Sequence, residues 1–176
     1  MRGESMSFAQ QLGHTRIAYV GGRPGVETGA DRLAGYTAAM RAAGLTPFAV
    51  DGGFRVDAAE RETAALLALA NRPTALVVGN NLMTLGAMRA IRAAALAVPE
   101  DLALVAVDDP AWAALVEPPL TVVAQQVEKM AELAMALLFE RLDDGRREPV
   151  RATLPLELRI RASCGMKRRR PGEAVG

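Results

Sequence analysis

The sequence predicts an α/β fold, a doubly wound parallel sheet, and three observations carry that expectation. Short β-rich runs alternate with helix-patterned stretches along the chain. The run Leu102 to Val107 is continuously apolar rather than alternating, as a strand covered on both faces is. Turn-forming Gly, Asn, Asp and Pro residues fall at the junctions. At 176 residues the chain is long enough for one domain with an appendage. Its residues are 51% hydrophobic and 23% charged, so it is globular; with aromatics at 4%, the core is built from Ala, Leu and Val.

Each element has a local reason. Arg16 to Val20 is a β-rich run ending at Gly21-Gly22. A helix from about Gly29 to Ala43 stops at Gly44, a residue suited to the left-handed C-terminal position. Thr46 to Val50 is the second strand, closed by Asp51-Gly52-Gly53. Asp57, with Glu60 in capping-box spacing, opens a helix that runs to about Asn71 and halts before Pro73. Thr74 to Val78 is the third strand, and Asn80 or Asn81 caps a helix from Leu82 to Ala95. The fourth strand is 102–107. Leu120 to Val123 is a short extended segment after Pro118-Pro119. Val127 to Leu142 is a helix with Val127, Met130, Ala131, Ala134, Leu137 and Leu138 on one stripe. Leu154 to Ile160 is a last strand, and residues 165–176 read as disordered.

Composition removes several functions. The formal charge is +1; with Lys167, Arg168, Arg169, Arg170 and Glu173 together at +3, the remainder stands at about −2. A body so near neutrality is not a nucleic-acid-binding surface. A single cysteine, Cys164, excludes an internal disulfide framework, and a single histidine, His14, excludes a His-rich metal site. No apolar run reaches the roughly 18 residues of a membrane span, and the N-terminus lacks the apolar core of a signal peptide. A cytoplasmic protein without a cofactor is expected. His14 precedes the first strand, at the edge opposite the expected site, and is read as structural.

In a parallel sheet the loops after successive strands share one edge, and ligands bind beyond that edge near helix N-termini. Those loops bring Thr28, Arg32, Phe54, Asn80, Asp108, Gln125 and Gln126 together. A carboxylate accepts from vicinal hydroxyls, arginine donates from a rigid fork, and an amide does both. An aromatic face covers the apolar side of a sugar ring or base. This set recognises and does not react: no nucleophile stands beside a base, and no carboxylate pair is evident. Taken singly, each residue has a plainer use. Asn80 and Asn81 can be caps, Arg32 a solvated helix residue, Asp108-Asp109 a turn before Pro110, and Phe54 a core residue. Their placement at successive strand ends is what argues for a site. The Gly21-to-Gly25 loop matches neither the P-loop nor the dinucleotide fingerprint, so nucleotide phosphate binding is not expected.

These residues lie in stretches that resemble the effector-binding core of lactose-repressor-type (LacI/GalR) transcription regulators. Residues 12–22, LGHTRIAYVGG, are similar to that family's opening motif. Residues 32–36, RLAGY, with Gly44-Leu45, resemble its first helix. Residues 73–87, PTALVVGNNLMTLGA, 98–102, VPEDL, running on to Asp108-Asp109, and 118–123, PPLTVV, follow in the family's order. The likeness covers roughly residues 8–163. It implies a periplasmic-binding-protein-like (type I) bilobed fold of which this chain is essentially one lobe. The implied division is a truncated N-terminal helix at 1–12, the C-terminal lobe at 13–163 with a crossover helix at 127–142, and a basic tail at 164–176. The implied effector contacts are Arg32, Asn80, Asp108 and Gln125, with Phe54 as the stacking aromatic and Thr28 nearby.

The chain departs from the family pattern in three ways. It is about half a family member's length, with no helix-turn-helix and little of the N-terminal lobe. The family's Asn-Asp pair is Asn80-Asn81, and its Gly-aromatic pair is Ala106-Val107. The crossover helix keeps an apolar stripe without the sheet it normally covers, and a half-cleft is expected to bind effector weakly.

The leading expectation is a non-enzymatic sensor that binds a sugar or small polar metabolite and forms a homodimer through Trp112, Leu115 and Val116. Trp112 has core packing as its plainer alternative. DNA is reached only through a helix-turn-helix this chain does not carry. Alternatives are a transport-type sugar-binding lobe, which native secretion would favour, a truncated regulator acting only through dimerisation, and an α/β enzyme, against which the missing catalytic constellation argues.

Overall fold

A computed structural model describes residues 13–23, 25–143 and 148–166. The expected 1–12 helix and the basic run Lys167 to Arg170 lie outside them. The element order is β1 (Ile17–Gly21), α1 (Glu27–Ala42), β2 (Phe48–Asp51), α2 (Val56–Leu67), β3 (Ala75–Val78), α3 (Asn81–Ala93), β4 (Ala103–Val107), β5 (Thr121–Ala124), α4 (Val127–Asp143) and β6 (Glu157–Arg159). Short 3-10 turns occupy Ala111–Ala114 and Ala162–Cys164. The six strands form one sheet in the order β2-β1-β3-β4-β5-β6. β1 to β5 are parallel and β6 runs antiparallel to β5, with Val122 opposite Arg159.

The sheet is wound on both sides, as its apolar strands require. β1, β3, β4 and β5 are buried along their whole length. One face packs Ala18, Val20, Leu76, Val78, Leu104 and Ala106 against Ala59 and Leu66 of α2 and Met83, Ala87 and Ile91 of α3. The other packs Ile17, Tyr19, Ala75 and Val77 against Tyr36 and Met40 of α1. α2 and α3 meet closely at Gly86, where an added Cβ would lie 2.2 Å from the Val56 carbonyl oxygen. Only glycine permits that approach.

Several boundaries differ from the expectations. The capping box of Asp57 and Glu60 does not form. α2 starts at Val56, and the Asp57 carboxylate instead pairs with Arg55 at 3.0 Å and Arg61 at 3.7 Å. α2 also ends at Leu67 rather than near Asn71, because the chain must re-extend so that the Thr74 N–H can donate to Arg16 O at 2.8 Å. The last strand shrinks to three residues. Cys164, where the basic tail is expected to begin, is part of the packed body. Cys164 is buried against Val105, and Ser163 Oγ donates to Leu104 O at 2.6 Å while accepting from Thr121 N–H at 2.8 Å. His14 Nδ1 lies 3.0 Å from Thr74 Oγ1, at the edge opposite the strand ends, as a structural histidine would.

α4 buries none of its residues. Val127 is 65% exposed and Leu142 68%, and its apolar stripe has no cover among the described residues. No described helix is long and apolar enough to cross a membrane.

Candidate functional site

The strand order turns at β1, which has β2 on one side and β3 on the other. α1 and α3 therefore leave the sheet on opposite faces, and the ends of β1 and β3 form the crevice where doubly wound folds bind ligands. α3 opens there under a side-chain cap: Asn80 Oδ1 accepts from Met83 N–H at 2.8 Å. The cap is thus Asn80, which leaves its amide NH2 for other partners. Asn81 contributes its backbone N–H.

That N–H is taken by the residue that follows β4. Asp108 has φ 77°, a left-handed conformation that Asp tolerates better than most residues. Its own N–H donates to Val123 O at 3.0 Å, which fixes the backbone against β5. The carboxylate is then turned along the edge: Oδ2 accepts from Asn81 N–H at 3.2 Å and Oδ1 from the Gln125 amide. One carboxylate so ties the N-terminus of α3 to the end of β5. Arg32, one turn into α1, reaches over the crevice from the other face, and its Nη1 donates to Gly79 O at 2.8 Å.

The remaining expected residues sit less centrally. Thr28 is exposed on the turn of α1 before Arg32. Phe54 has φ 59° and is half-buried on the core; its ring lies flat on Gly22, where an added Cβ would meet Cζ at 2.0 Å. Gln126 donates to Pro155 O at 2.9 Å and so fastens the approach to β6.

Beside Asp108 opens a depression of about 950 Å³, lined by Asn81, Asp108, Gln125, Gln126, Lys129 and Arg159 among others. Lys129 and Arg159 are additions that strand-end reasoning missed, since one lies inside α4 and the other on the antiparallel edge strand. The neighbour Asp109 does more than make a turn. Arg161 grips it with two bonds of 2.8 and 2.7 Å, and Arg159 adds a third at 2.8 Å. These guanidinium bonds hold its carboxyl below the usual carboxylate range. No cluster of three or more His, Cys, Asp or Glu residues able to hold a metal occurs among the described residues.

A second surface lies between α3 and the loop before β5. Trp112 and Val116 are half-buried on the core, while Leu115 stands 83% exposed. Val116 borders an apolar groove of about 920 Å³ with Leu85, Met88, Leu96 and Val98, flanked by Arg89, Arg92 and Glu117.

A doubly wound lobe with amide, carboxylate and guanidinium groups gathered at its strand ends defines a class of ligand-binding α/β domain. Residues 8–164 match the model of the periplasmic binding protein-like domain. The chain belongs to that family, in the LacI type of transcriptional regulator. It is 36% identical over 156 residues to the HTH-type transcriptional regulator CelR of Thermobifida fusca, covering 87% of this chain and 46% of that protein. A solved transcriptional regulator CelR–cellobiose complex superposes with a TM-score of 0.79 at 35% identity, over 89% of this chain and 49% of that one. A lac repressor dimer bound to operator and the anti-inducer ONPF gives 0.82 at 28% identity, over 91% and 48%. The chain spans about half the length of the relatives it matches. These relatives are transcriptional regulators rather than enzymes.

Proposed function

We propose that the chain is the effector-binding and dimerisation part of a LacI-type regulator, and that its effector is a sugar or similar small polar metabolite. The observation that carries this reading is Asp108. A carboxylate on a left-handed backbone bridges Asn81 N–H and the Gln125 amide at the switch-point edge, and among the described residues its bonded partners are amides rather than a base or nucleophile. It can exchange those partners for vicinal hydroxyls of a ligand, with Arg32 supplying donors from the opposite face. The cellobiose held by the solved CelR relative supports a hydroxylated ligand. Operator contact, on this reading, rests with a helix-turn-helix and not with this lobe. Trp112, Leu115 and Val116 would meet a second copy, with Leu115 as the exposed anchor.

A thermal-shift panel of mono- and disaccharides (cellobiose among them), sugar phosphates, polyols and nucleosides tests the site, with Asp108→Ala and Arg32→Ala as controls. Ligand at a hundred times Kd stabilises by about 2.7 kcal/mol, which raises Tm by roughly 5–10 °C in a domain of this size. Both substitutions are expected to abolish the rise. A cooperatively melting chain that no compound shifts would overturn the sensor reading. Leu115→Asp is expected to convert a dimer to a monomer in light scattering; an unchanged mass would refute the interface.

A further inference from the structure

The two carboxylates that follow β4 share a peptide bond and have opposite surroundings. Asp108 lines the depression and accepts from neutral donors, Asn81 N–H and the Gln125 amide. Asp109 accepts from cations: Arg161 Nη1 at 2.8 Å and Nη2 at 2.7 Å, and Arg159 Nη1 at 2.8 Å. Arg161 is itself fixed to the start of β5. Its Nη1 also donates to Leu120 O at 2.8 Å, its backbone N–H donates to Thr121 Oγ1 at 2.9 Å, and Thr121 Oγ1 donates back to Arg161 O at 3.0 Å. The guanidinium that grips Asp109 is therefore anchored by its head and by its backbone.

This clamp sits one residue beyond a strained backbone. A left-handed φ of 77° costs free energy in a residue with a Cβ, and such a conformer persists where its surroundings impose it. At Asp108 both sides are held. On the N-terminal side, its N–H donates to Val123 O at 3.0 Å, one step beyond the pairing of Val107 with Val123. On the C-terminal side, Asp109 is held by the two arginines, and Pro110 after it bars Asp109 from the helical region. Relaxing Asp108 by swinging its following peptide would carry the Asp109 carboxylate away from both guanidiniums. The consequence for Asp108 is directional. With its N–H fixed, a turn to negative φ rotates Cβ about the N–Cα bond and takes the carboxylate off Asn81 and Gln125.

We propose that Asp109, gripped by Arg161, is a positioning residue for Asp108: the clamp holds the left-handed turn that aims the Asp108 carboxylate along the strand-end edge. Freed from the clamp, Asp108 populates ordinary negative φ. With the aimed conformer reduced to about a tenth to a fifth of the population, the apparent Kd for an effector rises about five- to tenfold. The inference rests on the reading of Asp108 as an effector contact, but its test needs no effector.

Solution NMR of the full chain at pH 7 provides that test, with three reporters. The intraresidue amide-to-Hα NOE of Asp108 is strong when φ is positive. The Asn81 backbone amide and the Gln125 side-chain amide both report their bonds to the Asp108 carboxylate. In Asp109→Ala the NOE is expected to fall to the level of extended residues, and both amides are expected to shift toward unbonded values. Arg161→Lys keeps the charge and loses the two-pronged grip; it is expected to move the same reporters in the same direction by less. Met40→Ala opens a cavity in the fully buried core against α1 and lowers stability without touching the clamp. It is expected to leave all three reporters in place. A folded Asp109→Ala chain that keeps the strong NOE and both amide positions would overturn the proposal, and if that variant does not fold, Arg161→Lys decides by the same criterion. Reporters that move as far in Met40→Ala would overturn it too, because general loosening would then account for them. None of these results touches the effector reading, which fails separately if no compound of the sugar panel raises the Tm of the wild-type chain.

Discussion

Replacing Asp109 by alanine removes the acceptor on which two arginines from the far end of the chain converge. The Asp109 side chain is 10% exposed and that of Arg161 19%, so this is a largely desolvated pair. Breaking a fully buried pair from one side costs about 3–5 kcal/mol, because the abandoned charge stays out of water. Arg161 keeps one bond to Leu120 O at 2.8 Å and some solvent, which brings the expected loss to about 2–3 kcal/mol. Arg159, 47% exposed, adds little, since exposed pairs are screened. With a urea m-value of about 2 kcal/mol/M, the midpoint should fall by about 1 M at pH 7. The pH dependence follows from the sign of the shift. The carboxyl titrates lower in the folded chain than in the unfolded one. Its contribution is therefore complete above the unfolded value near 3.9, and it is lost as pH falls through the lower folded value. The gap between wild type and Asp109→Ala should close in that acid window. A midpoint that moves by less than about 0.3 M at pH 7, or a gap undiminished in acid, would refute the assignment of stability to this clamp.

Two further outcomes follow from packing and capping. Gly86→Ala should destabilise by about 1–3 kcal/mol or more, since its Cβ would meet the Val56 carbonyl at 2.2 Å and α2 would have to move; denaturation at unchanged midpoint would show the two helices are looser than described. Asn80→Ala should cost about 1 kcal/mol through loss of the α3 cap, whereas Asn80→Ser should restore most of it, as read by thermal melting. If the alanine variant melts with wild type, the cap carries no stability.

Much of the fold is visible in short stretches of chain. The continuous apolar run at 102–107 can only be a strand covered on both faces, and the structure buries Ala103 to Val107 throughout. Gly44 marks where α1 cannot continue, because that limit acts within a few residues, whereas α2 ends at Leu67, well before the limit Pro73 sets. Parallel strands must deliver their loops to one edge, which brings Asp108, Gln125 and the start of α3 together as their positions in the sequence imply. Arg159 and Lys129 are not legible in that way, because they reach the same depression from an antiparallel strand and from within a helix. The capping box at Asp57 is a local pattern that lost to a local competitor, Arg55, two residues away.

What the sequence by itself determined is therefore the order of elements, the doubly wound class, and the edge where recognition groups collect. Each of these follows from periodicity and from steric limits that operate over one to four residues. The tertiary structure alone decided which asparagine caps α3, that Phe54 lies on Gly22, and that Asp109 is bound by arginines some fifty residues away. The bare stripe of α4, by contrast, is already expected from the family resemblance, and among the described residues it stays uncovered. Those tertiary outcomes depend on which side chains the closed sheet brings within about 3 Å of one another, and spacing along the chain does not fix those distances.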